Sequence, residues 1–101
     1  MKEKNNVINI SKDGNEKIIF EWNGNKKIEI FIKDEKDYEK NSFDNLFDFI
    51  IECIENKEEI EFILNANITD DGSRINNIAR GIVEICEKEI KDIKEEIYGD
   101  N

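Results

Sequence analysis

Residues 67–74 read NITDDGSR, a run that sets two adjacent acids, a glycine, a serine and one of the chain's two arginines ahead of a long apolar periodicity. Three chemistries suit those residue types. The first is a calcium loop, since Asn67, Thr69, Asp71 and Gly72 fall at its positions 1, 3, 5 and 6; Ile78 stands at position 12, where a bidentate glutamate is required, and removes it. The second is an anion site, in which the free amides of a helix starting at Gly72 and Ser73 hold a phosphate and Arg74 and Arg80 supply positive charge. Asp70 and Asp71 would repel that phosphate unless a metal intervened, so a nucleotide or phosphate held at Asp70, Ser73, Arg74 and Arg80 ranks as the alternative function. The third is a two-metal carboxylate centre, taken up below. The plain reading, which we prefer, makes Asp70 or Asp71 the helix N-cap, with Gly72 easing the turn and a negative charge set against the dipole.

Little else in the chain looks like catalysis. There is no His, so Ser-His and Cys-His pairs are unavailable and a reaction would have to rest on carboxylates, lysines or a metal. Cys53 and Cys86 lack the paired spacing of a zinc site and fall on the apolar sides of two periodic runs, which predicts buried free thiols. The expectation is a non-enzyme with no cofactor and no metal.

The more informative pattern is charge. Residues 34–61 hold eleven acids against three lysines, net −8 of the chain's −10. Within Ser42–Asn56 no base interrupts Asp44, Asp48, Glu52 and Glu55, which at 100° per residue fall within an arc of about 80°. Acids one turn apart lie roughly 6 Å from each other, comparable with phosphates along a nucleic-acid strand, so this ridge could occupy the basic groove of a nucleic-acid-handling protein. So negative a field speeds association with a positive partner and disfavours direct nucleic-acid binding.

The elements that must position these residues follow from periodicity. The chain's 101 residues suffice for one compact domain, 1–101. Val7–Ile10, Lys17–Trp22 and Lys27–Lys33 read as three strands broken by KDGN and NGNK. A three-residue loop at Asn23–Asn25 pairs Phe20 with Ile28 and Ile18 with Ile30; the same arithmetic at Asp13–Asn15 pairs Ile10 with Ile18 and Ile8 with Phe20. Ser42 is placed to cap a helix to about Asn56, with Phe43, Leu46, Phe47, Ile50, Cys53 and Ile54 inward and Phe49 and Ile51 widening that face. Ile60, Phe62, Leu64 and Ala66 alternate as a fourth strand. A helix over about 73–98 carries Ile75, Ile78, Ile82, Cys86, Ile90, Ile93 and Ile97 and stops at Gly99. Its length, about 39 Å, exceeds a domain diameter of roughly 26 Å, so its last turns are expected to overhang and to pair two copies as a homodimer. The order β-β-β-α-β-α predicts an α+β, two-layer fold with a four-stranded mixed sheet and both helices on one face; a right-handed crossover between strands three and four would let strand four lie parallel beside strand one, but periodicity does not fix the strand order.

That layout resembles the minimal start of an RNase H-like fold, a likeness of topology over most of the chain. The resemblance implies acids in strand one, in the first helix and at the end of strand four. Asp44 and Asp70 match the last two places; strand one offers only Asn9, with Asp13 in the turn, so the central ligand is missing and a metal-dependent nuclease ranks third. Small phage-type anti-defence proteins, immunity proteins and antitoxins are similar in size, acidity and lack of catalytic signature. The leading expectation is a small acidic, non-catalytic module that binds a basic protein through Asp44, Asp48, Glu52 and Glu55. Without a signal-peptide core or a membrane-length apolar run, it is expected in the cytoplasm and away from membranes.

Overall fold

The computed structural model describes residues 5–32 and 43–99, in the order β1 Asn5–Asp13, β2 Lys17–Trp22, β3 Lys26–Phe31, α1 Asp44–Glu55, β4 Glu59–Leu64 and α2 Arg74–Tyr98. The four strands form one mixed sheet in the order β3-β2-β1-β4, antiparallel throughout except that β4 runs parallel beside β1. This is the expected architecture.

Even-numbered strand residues carry the core. Ile8, Ile10, Ile18, Phe20, Trp22 and Ile30 are buried, whereas their odd-numbered neighbours are half-buried or exposed. Leu46, Ile50 and Ile54 of α1 and Ile75, Ala79, Ile82 and Cys86 of α2 join the same cluster, so both helices cover one face. Phe49 extends α1's apolar side by stacking on Trp22, ring centroids 5.6 Å apart. Cys53 and Cys86 are both buried.

Hairpin β2–β3 has the expected register, Phe20 opposite Ile28 and Ile18 opposite Ile30, across a three-residue loop in which Asn23 and Gly24 take positive φ. Hairpin β1–β2 does not. Ile10 pairs with Phe20 and Ile8 with Trp22, two residues away from the expected register, because β1 continues to Asp13 and the turn begins at Gly14, the residue with positive φ. An even shift leaves every side chain on its face, so alternation alone could not distinguish the two registers.

Both helices depart from expectation at their ends. Ser42, expected to cap α1, lies outside the described residues; the helix opens at Phe43 with Asp44 in its first turn, and Glu58 N–H closes it by donating to the Cys53 carbonyl. β4 stops at Leu64, and Ala66 sits in a turn where Asn67 N–H donates to Asn65 Oδ1. The N-cap position of α2 is Ser73 in extended conformation, not Asp70 or Asp71. The far end of α2 does not overhang freely, because Tyr98 Oη donates to the Ile54 carbonyl at 2.6 Å and ties it to the end of α1. The molecule is 41 Å long and 26 by 24 Å across, with the 25 residues of α2, roughly 38 Å, nearly filling its length.

Candidate functional site

α1 folds because its apolar residues recur at three and four; burial of Leu46, Ile50, Cys53 and Ile54 then sends the intervening acids outward. Asp44, Asp48, Glu52 and Glu55 are all exposed on one side of this helix. Asp44 makes a contact of its own. Among the described residues no ion pair neutralises Asp48, Glu52 or Glu55. Below the ridge, α1 and the β2–β3 hairpin leave a cleft of about 320 Å³ with Trp22 and Phe49 in its wall, Asp48 and Glu52 on the helix side, and Lys26 and Lys27 on the strand side. The ridge therefore has a basic border that helical spacing alone does not reveal.

The residues of the NITDDGSR run come together at the carboxyl ends of the parallel strands β1 and β4, where open α/β sheets place their ligands. What gathers there is mostly self-satisfied. Asp71 Oδ1 accepts from the Ser73 amide at 2.9 Å and from Asn76 Nδ2 at 3.0 Å. The Ser73 amide, helped by the Asn76 carboxamide, holds the Asp71 carboxyl at about 2, below its ordinary 3.8. Asp71 thus supplies the negative charge that a bound anion would bring to the helix start. Arg80 pairs with Asp70 at 2.6 Å, and Arg74 reaches the Ile32 carbonyl at 3.5 Å. Ser73 Oγ is shielded from water and lies beside the Asp71 carboxylate, which its hydroxyl helps to keep ionised.

Sequence reasoning missed the centre of this cluster. Asn76 is fully buried; its Oδ1 accepts from Lys12 Nζ at 2.8 Å and its Nδ2 donates to Asp71 and, at 3.4 Å, to Thr69 Oγ1. A lysine on one side and a carboxylate on the other admit only one amide orientation. Asn67 Nδ2 adds a bond to the Lys12 carbonyl, so the β4–α2 loop is fastened to the end of β1. The only sequence signal was an asparagine on the inward side of an otherwise apolar first turn.

For two-metal chemistry the placement is poor. Asn9 lies exposed on the sheet face away from the helices, Asp13 is bridged to Lys17 at 3.8 Å, and Asp70 is taken up by Arg80. Among the described residues no three potential ligands converge on a point. Burial, with Glu87 and Glu89 adding to it, raises the Cys86 thiol to about 11, so it stays protonated at neutral pH and is no nucleophile.

No helix among the described residues is long and apolar enough to cross a membrane. No family model matches the chain, and no curated protein or solved structure matches it either.

Proposed function

We propose that this protein is a small, non-catalytic module that binds a basic protein partner through the acidic ridge of α1, acting as an inhibitor of a nucleic-acid-handling protein. One observation carries the reading: Asp44, Asp48, Glu52 and Glu55 stand exposed along a single helical arc, and no base occurs within that helix. Carboxylates at one-turn spacing present a row of negative charge to a groove built for phosphates, and the formal net charge of −10 draws a cationic partner in from a distance. The Trp22–Phe49 stack behind the ridge supplies a rigid apolar backing for such an interface.

The small-ligand reading at Asp70, Ser73, Arg74 and Arg80 has one observation in its favour, a Ser73 hydroxyl shielded from water at the start of α2. Against it stand the Asp71 carboxylate at the helix start and the engagement of Arg80 by Asp70. A thermal shift against a nucleotide panel separates the two readings, because ligand at 100 times its dissociation constant stabilises by about 2.7 kcal/mol.

Reversing Asp44, Asp48, Glu52 and Glu55 to Lys tests the ridge. Partner binding is expected to vanish while circular dichroism and the unfolding transition remain those of a folded chain; unchanged affinity would refute the proposal. Because Asp44 makes a contact of its own, the triple variant at Asp48, Glu52 and Glu55 serves as the milder probe.

A further inference from the structure

Ile85 is the most exposed large apolar side chain among the described residues, 61% accessible in the middle of the longest helix. One turn before it stands Gly81, a helix-interior glycine whose φ is not positive and where an added Cβ would meet nothing within 4 Å. Neither the backbone nor intramolecular packing requires that glycine, and it costs the helix about 1 kcal/mol relative to alanine. Together they lie on a flank stripe that borders the core stripe of α2 at the half-buried Ile78: Arg74, Ile78, Gly81, Ile85, Lys88 and Asp92, spaced four and three residues alternately. That is the spacing of a helix–helix seam.

We propose that the chain self-associates through this flank, two copies of α2 packing antiparallel with Ile85 of each seated over Gly81 of the other. The stripe maps onto itself in that arrangement. When Ile85 meets Gly81 of the second copy, Arg74 falls opposite Asp92, each seven residues further out, and the aliphatic stem of Lys88 covers Ile78. The two-fold axis therefore brings together an apolar centre and two opposite-charge pairs. The Arg74 guanidinium, exposed and held among the described residues by a long 3.5 Å bond to the Ile32 carbonyl, retains donors for the pairing. This seam is on a different helix from the acidic ridge, so self-association and capture of a basic protein are measured independently.

Sedimentation equilibrium of the full chain at physiological salt, carried to ~1 mM because so short a seam buries less than a standard interface, is expected to show a monomer–dimer equilibrium. Gly81→Gln keeps a helix-forming residue but fills the seat; it is expected to stay folded by circular dichroism and to sediment as a monomer throughout. Arg74→Asp and Asp92→Arg are each expected to weaken the dimer about tenfold, and the two combined to restore it. The proposal is overturned if the native chain is monomeric over the whole range, or if Gly81→Gln associates as the native chain does. A double charge reversal no tighter than either single one overturns the antiparallel register.

Discussion

Asn76 shows how much of the molecule's polar architecture rests on one side chain. Its carboxamide joins Lys12 at the end of β1 to Asp71 at the start of α2, with every one of these bonds shielded to some degree from water. Asn76→Ala removes the buried carboxamide that links Lys12 to Asp71 and leaves a hole in its place, and is expected to cost about 1–3 kcal/mol in denaturant titration. Asp71 adds a pH dependence of defined sign. Its folded-state pKa of about 2 lies below the ordinary 3.8, so its contribution is fully present above the unfolded value and disappears as pH falls through the folded one. Asp71→Asn is expected to flatten the stability profile between those two values and to leave its slope near neutrality unchanged. This cluster was hardly legible in the sequence, since Lys12 and Asn76 are 64 residues apart and a strand-end lysine reads as solvated. The two cysteines were legible, because their burial follows from helical spacing alone.

At the scale of elements, the strength of the hydrophobic period decided what could be read. α2 runs from Arg74 to Tyr98 as its apolar stripe predicts, and the β2–β3 register follows from placing Phe20, Trp22, Ile28 and Ile30 on one face. The β1–β2 register was not recoverable, because polar Ser11, Lys12 and Asp13 are held in the strand by the ladder to β2 rather than by their own propensity. The same competition displaced the cap of α2: Asp71 bonds the Ser73 amide from two residues upstream, leaving Ser73 at the cap position with no side-chain capping bond. Gly81 gives an element-scale prediction. Gly81→Ala places a methyl in open space and is expected to stabilise the chain by roughly 0.5–1 kcal/mol in thermal or denaturant unfolding. A loss of stability would mean that the glycine serves the fold of the single chain.

The whole molecule is a two-layer fold whose first helix, Asp44–Glu55, carries four acids and no base. The order of elements, the mixed sheet and the helices on one face were legible from periodicity, whereas the strand order β3-β2-β1-β4 was not, because periodicity gives no information on which strands are neighbours. The basic border at Lys26 and Lys27 was not, since it depends on α1 lying against the β2–β3 hairpin. Reversal of the four ridge acids takes the formal net charge from −10 to −2, each substitution adding two charges, so binding steered by the field should lose both its affinity and its salt dependence. The most direct measurement is a nuclease-treated pull-down from the producing cell's lysate, run at low and high salt with the native chain and the four-residue Lys variant side by side. The ridge account predicts a stoichiometric basic protein retained by the native chain at low salt, released as salt rises and absent from the variant. Equal retention by both chains, or a specific partner that resists high salt, would contradict it.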